Sequence, residues 1–328
     1  MIVRYGVGVM YAGQWLAVNL SAASPTAPED PANMNAMERR ASATLSSIFA
    51  LRMLGLFLVL PVFALEARKY PGGDDPAMIG LAMGIYGLTQ GILQIPFGIA
   101  SDKFGRKPVI ILGLLVFAFG SVWAGCADNL QSLLVGRALQ GAGAVSAAVT
   151  AMLADLTRDV VRTKAMALVG ASISLMFALS LVISPWLVGW IGLSGLFFLT
   201  AVLALGGMAV VRWSVPDEPY TLAPSDRSGL AEVVRDSGLM RLNFGVFILH
   251  AVQLAMWVAI PAMLVQAGLD KLDHWQIYLP AVVASFVVMG AVFAMERRGY
   301  LRAAFLAAVA MIAVVQLALL WVASITPS

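Results

Sequence analysis

The stretch GIASDKFGRK, residues 98–107, decides how the rest of the chain is read. It lies between two long apolar runs, and a charged connection this short between two such runs belongs at a membrane surface rather than in lipid. Its informative positions are Gly98, Asp102, Lys103, Gly105, Arg106 and Lys107, closed by Pro108, which cannot continue one helix but can open the next. Gly98 is read as ending the preceding span where only a hydrogen fits against a neighbour, and Gly105 as permitting a tight reversal. Lys103, Arg106 and Lys107 mark the cytoplasmic side.

Composition agrees with this. A chain of 328 residues that is 60% hydrophobic and 12% charged, with a mean hydropathy of +0.87, is an all-α, polytopic membrane protein rather than a soluble one with a single large core. The net charge of +3 does not point to nucleic acid, because the cations cluster in loops and report orientation instead. A single cysteine, Cys126, excludes an intramolecular disulfide and a cysteine metal cluster, and reads as a small apolar residue at a helix end. No nucleophile, base and orienting acid occur together and no metal-ligand spacing is present, so neither an enzyme nor a cofactor is expected.

With about 20 apolar residues per crossing, spans are expected at roughly 43–66, 77–99, 108–126, 129–153, 164–190, 193–213, 241–265, 275–295 and 302–323. Residues 1–40 read as a disordered extension, with Met34 or Met37 as alternative initiators. Residues 41–213 read as a six-helix bundle, 214–240 as a cytoplasmic linker, and 241–328 as three helices of a second, partial bundle. The loops assigned to the inside carry Arg39, Arg40, Arg158, Arg162, Lys164, Arg212, Arg227, Arg235, Arg241, Arg297, Arg298 and Arg302 besides the cations of 98–107. The outer loops carry Arg68, Lys69 and Lys271, which places the amino terminus in the cytoplasm.

No acidic residue lies deep in an expected span; the deep charges are positive. Arg52 and Arg137 each sit about eight or nine residues into a span, roughly 12 to 14 Å at 1.5 Å per residue. Charge at that depth faces a bundle interior or a wet cavity. Arg52 reads equally as a functional group and as an anchor bonded to backbone carbonyls. Gly141 and Gly143 do not make a dinucleotide loop, since they lie inside an apolar helix with no preceding strand; they read as close-packing surface. Gly80, Gly84, Gly87 and Gly91 form one smooth stripe at helical spacing. Tyr86, Gln90 and Gln94 follow at intervals of four and either line a cavity or bond between helices. His250 has the ordinary pKa nearest neutrality of any group in the spans and shares a face with Gln253 or Trp257; it reads as a proton relay or as a neutral histidine bonded within the bundle, and Trp257 reads as packing.

These motifs carry a resemblance. The 98–107 loop resembles the signature between spans 2 and 3 of the major facilitator superfamily, and Glu296, Arg297 and Gly299 repeat its core at the matching place of the second half. Arg137, Gln140, Gly141 and Gly143 resemble the span 4 motif of drug:proton antiporters. Arg52-Met53-Leu54-Gly55, Asp155-Leu156-Thr157-Arg158, Arg162-Thr163-Lys164 and LNFGVFILH in span 7 are similar to the YajR-like group of such antiporters. Ser184-Pro185 with Gly189 departs from the glycine-proline motif of that branch while keeping the proline. The resemblance implies two parallel six-span halves, of which the second lacks three spans here, so the chain reads as a fragment or a truncated product.

It further implies an inner-membrane carrier exporting small organic compounds against protons. Gly98, Asp102, Lys103, Gly105, Arg106, Lys107 and Asp155 would form a conformational latch. Arg137, Arg52 and His250 would serve proton coupling, and Tyr86, Gln90, Gln94, Gln140 and Gln253 the substrate cavity. A proton-independent facilitator of metabolites or sugars and a non-transporting remnant are the rival readings.

Overall fold

A computed structural model describes residues 33–215 and 235–325, all helical or connecting, with no strand among the described residues. In chain order the helices are α1 (Ala36–Ala67), α2 (Pro76–Phe104), α3 (Arg106–Gly125), α4 (Leu130–Ala142), α5 (Ser146–Asp155), α6 (Asp159–Ser214), α7 (Ser237–Gln266), α8 (Trp275–Arg297) and α9 (Leu301–Ile325). Most of the linker expected at 214–240 lies outside the described residues.

The boundaries follow from local chemistry. Asn35 and Glu38 form a reciprocal capping box at the start of α1, Asp75 caps α2 ahead of Pro76, Asn129 caps α4 and Asp236 caps α7. Gly105, at φ +92°, joins α2 to α3 in a conformation that excludes side chains, which makes it the reversal residue. At 56 residues α6 would be about 84 Å long as one rod, nearly three bilayer thicknesses. Its backbone leaves helical geometry at Gly192, φ 66°, which divides it into two crossings.

Taken together, α4 and α5 make one crossing broken at Gly143–Val145, where two closely spaced glycines weaken the helix. Eight helical stretches are long and apolar enough to cross a membrane, and the turn at Gly192 splits one of them, so the described residues follow the nine expected spans.

Three expectations are corrected. The disordered extension cannot reach residue 40, because α1 begins at Ala36 and Glu38 is 1% exposed; hydropathy misses this start because its residues are charged. Gly98 does not end a span, since α2 runs on to Phe104, and a Cβ there would meet only Ala147 at an ordinary 3.9 Å. The stripe Gly80, Gly84, Gly87 and Gly91 meets nothing within 4 Å among the described residues, so it is not a packed surface here.

The core lies in α1–α6 as three levels. One apolar cluster, including Leu45, Ile48, Leu114 and Met152, fills the end that carries Asp102, called the motif end below. A second, including Val62, Phe63, Ile79 and Phe197, fills the far end. Between them lies a thinner layer of Leu56, Tyr86, Phe117 and Ala204, the level at which both buried arginines sit. Gly141 and Gly143 do pack tightly: a Cβ on Gly141 would overlap Thr89 Oγ1 and the Tyr86 carbonyl, and one on Gly143 the Gly113 carbonyl and Phe117. Backbone atoms cannot move aside cheaply. Gly141→Ala is therefore expected to lose on the order of 2 kcal/mol, whereas Gly84→Ala should be neutral or gain up to about 1 kcal/mol. Thermal unfolding of the purified variants in detergent checks the contrast.

Candidate functional site: a cavity between two charged ends

Helices α1, α2, α4, α6, α7 and α8 enclose a cavity of about 540 Å³. Its wall includes Phe57, Tyr86, Gly87, Gln90, Arg137, Ser174, Phe177, His250, Gln253, Trp257 and Ser285. Five residues selected from the sequence thus come together: Tyr86, Gln90, Arg137, His250 and Gln253. Trp257, read as packing, is also part of the wall. Its ring packs edge-on against Phe177 at 5.8 Å and Tyr278 at 6.0 Å, and Phe177 meets Phe57 at 5.1 Å. These T-shaped contacts tie α1, α6, α7 and α8 into one aromatic chain. His250 Nδ1 lies 2.9 Å from the Val246 carbonyl on its own helix, leaving the rest of the ring toward the cavity it lines.

Arg137 is 1% exposed, donates through Nη1 to Gln140 Oε1 at 2.8 Å, and stacks 4.8 Å from the Tyr86 ring and 5.6 Å from Phe63. Gln140 passes the link on, its Nε2 donating to Ser121 Oγ at 2.8 Å. Arg52 lies behind Tyr86. It donates to Tyr86 Oη at 3.0 Å, Ser146 Oγ at 3.1 Å and, at 3.4 Å, to the Gly143 carbonyl, which in the α4–α5 break also accepts from the Val145 amide at 2.9 Å.

Gln140 and Gln94 do not line the cavity, contrary to expectation. Gln140 is consumed as Arg137's acceptor. Positions four apart drift about 40° around a helix at 100° per residue, so Gln94 has turned about 80° from Tyr86, and its Oε1 is buried without a partner.

Ion pairs hold the two ends. At the motif end Arg106 bridges Asp102 and Asp155, with Nε 3.1 Å from Asp155 Oδ2, and also donates to Ser101 Oγ at 2.7 Å. This is the triad that the resemblance implied. Lys103 lies beside the Phe104 ring at 5.3 Å, and Lys107 stands in the first turn of α3. Because Asp102 and Asp155 are about half exposed, each pair is worth about 0.2–1 kcal/mol. Arg106→Ala should therefore cost only about 1 kcal/mol in thermal unfolding; a loss above about 3 kcal/mol would make the triad a structural staple instead of a releasable latch.

Two pairs escaped the sequence reading. Buried Glu38 accepts from Arg158 Nε at 2.8 Å and Nη2 at 3.0 Å, joining α1 to the turn before α6. At the far end Glu66, 6% exposed, accepts from Lys69 at 2.7 Å and from Lys271 at 2.6 Å across 205 positions of sequence. The hydrogen bond to Glu66 raises the Lys271 pKa above the usual lysine value, against a smaller opposing effect of burial. For the proposed repeat of the 98–107 loop, Gly299 has φ +80°, as Gly105 is also positive, while the side chains of Glu296 and Arg297 lie outside the described residues.

The profile of the Major Facilitator Superfamily matches residues 45–328. Over 253 residues the chain is 44% identical to the inner membrane transport protein YajR of Escherichia coli strain K12, covering 76% of this chain and 56% of that protein. Over 171 residues it is 31% identical to the class B tetracycline resistance protein of Escherichia coli, covering 51% of this chain and 42% of that protein. The chain therefore spans little more than half the length of the first and less of the second. Among solved structures, a bacterial homologue of the human lysosomal transporter Spinster matches with a TM-score of 0.64 at 16% identity, over 81% of this chain and 64% of that one, a likeness of fold.

Proposed function

The chain belongs to the Major Facilitator Superfamily, and on that premise we propose that it moves small organic compounds across the inner membrane by alternating access, in exchange for protons. The observation that carries this reading is the cavity itself. It lies between α1, α2 and α6 on one side and α7 and α8 on the other, and its wall combines an aromatic chain with a buried guanidinium and a histidine. Such an enclosure suits a drug-sized compound.

Packing supports alternation. From Ser237 to His250, α7 is almost wholly exposed, whereas beyond His250 it is half-buried up to the fully covered Pro261. The two sides thus meet at the far end, where Glu66 holds Lys271, and part at the motif end. With the loop cations placing the motif end in the cytoplasm, this is an inward-open arrangement. The triad of Asp102, Arg106 and Asp155, flanked by Gly98, Lys103, Gly105 and Lys107, would re-form contacts at that end when the carrier turns outward. Arg137 and His250 serve coupling, and Arg52 holds Tyr86 in place. The names of the two Escherichia coli relatives support the inner membrane and the drug class.

One observation favours a second reading: among the described residues no Asp or Glu lines the cavity, so a facilitator without proton exchange would need no change to this site. Proteoliposomes containing the purified chain separate the two. Tetracycline, ethidium and fluorescein are offered in turn, with and without an imposed pH gradient. Antiport requires at least one of them to move some tenfold faster than in protein-free vesicles, with that acceleration lost when the gradient is collapsed. Flux indifferent to the gradient establishes the facilitator, and no flux of any compound overturns transport by this chain.

A further inference from the structure

We infer, on the transport reading above, that the cavity's cargo is an aromatic organic anion, its acidic group set against Arg137 and its ring against the aromatic chain. Charge is the starting point. Arg52 and Arg137 are 2% and 1% exposed and are the largest fully buried side chains among the described residues. All their hydrogen-bond partners are neutral: two hydroxyls and a carbonyl for Arg52, an amide oxygen and a carbonyl for Arg137. Among the described residues no carboxylate lies within ion-pair distance of either, and Arg52 Nε is buried with no acceptor at all. Cations held at membrane depth are normally paired. These two are not paired with one another or with an acid, so the resting site carries uncompensated positive charge.

That charge acts on the cavity. Arg137 is part of its wall. Tyr86 couples the second cation to the same region, since its hydroxyl accepts from Arg52 while its ring lies under Arg137. The remaining polar wall groups, among them Gln90, His250 and Gln253, supply hydrogen bonds but no negative charge. A positive potential in a low-dielectric enclosure selects anions and repels ammonium compounds, and a guanidinium offers paired donors that match a carboxylate or sulfonate. Another part of the wall is apolar and aromatic: Phe57, Phe177 and Trp257 line the same space and meet edge-on. A cargo that satisfies both parts has a ring system and one acidic group.

The test is calorimetric titration of the full chain in lipid nanodiscs with naphthalene-2-carboxylate, its neutral isostere 2-naphthamide, and the cation 2-naphthylmethylammonium. The carboxylate is expected to bind at least tenfold more tightly than the amide, with the ammonium weakest. Arg137→Gln should erase that order, while Arg137→Lys, which keeps the charge, should retain it at reduced affinity. The comparison on the unaltered chain stands even if a variant fails to fold. Equal or tighter binding of the amide or the ammonium, binding of none of the three, or a preference that survives Arg137→Gln overturns the inference. Flux keeps the two readings apart: if ethidium is carried and the carboxylate is not bound, transport stands and the anion assignment falls. If the carboxylate binds as expected but nothing is carried, the anion site stands without the transport reading.

Discussion

Replacing Arg137 with methionine is expected to reduce flux through the chain by at least tenfold while leaving its thermal stability within about 1 kcal/mol of the parent. The stability half of that expectation is a near-cancellation. A guanidinium at mid-membrane costs about 2.5–3.5 kcal/mol on insertion scales, and methionine removes that cost while filling much of the same volume. Against this, Gln140 Oε1 loses its donor at 2.8 Å, worth about 1–3 kcal/mol when left buried. The stacking on Tyr86 and Phe63 is lost as well, at about 0.5–2 kcal/mol.

The functional half does not cancel. Among the described lining residues the wall loses its only guanidinium, and with it the group to which the proposed reading gives the charged cargo and the coupling. Unfolding midpoint and proteoliposome flux measured on the same preparation decide the matter. If both collapse together, Arg137 is a structural strut; if flux alone collapses, the fold tolerates a buried, unpaired cation because transport needs it.

Hydropathy makes the spans legible because membrane crossing imposes length and polarity on every segment, whatever it packs against. Local motifs are legible for a related reason: Gly105 needs its positive φ, and Asp102 and Arg106 are four positions apart, so one short stretch determines both the turn and the pair. Asp155 came from the resemblance, not from spacing. The cavity was partly legible, in that Tyr86 and Gln90 are polar at membrane depth, where polarity must be explained. Gln94 carried the same polarity but had rotated off the face, and Gln140 was already committed to Arg137; helical phase and prior partners are tertiary facts. Glu38 and Glu66 were missed outright. Both sit at the ends of α1, where a charge reads as ordinary loop, and each finds its partner more than a hundred positions away.

The second large effect should come from that far-end pair. Glu66→Gln is expected to raise the rate at which a membrane-impermeant thiol reagent, added on the far side, labels a cysteine placed at Gln253 in a Cys126→Ser background, by about tenfold. Glu66 is buried and Lys271 about one-third exposed, at 2.6 Å, so the contact lies between a surface pair worth about 0–1 kcal/mol and a fully buried one worth about 3–5 kcal/mol to break. An intermediate loss of about 1.4 kcal/mol corresponds to a factor of ten in population. The contribution of Lys69, at 60% exposure on the same helix end, is discounted because it does not cross between the two sides of the cavity.

Lys271 is held above its ordinary pKa of 10.5, so its share of the contact is complete below that value and fades only as pH climbs through the raised one; labelling near neutrality therefore reads the intact pair. The exchange Glu66→Lys with Lys271→Glu restores attraction between the same two positions and should return the rate most of the way to that of the parent. If neither Glu66→Gln nor the exchange alters labelling, the far end is held shut by the aromatic contacts of Trp257 and Tyr278, and the ion pair merely decorates a closure made by packing.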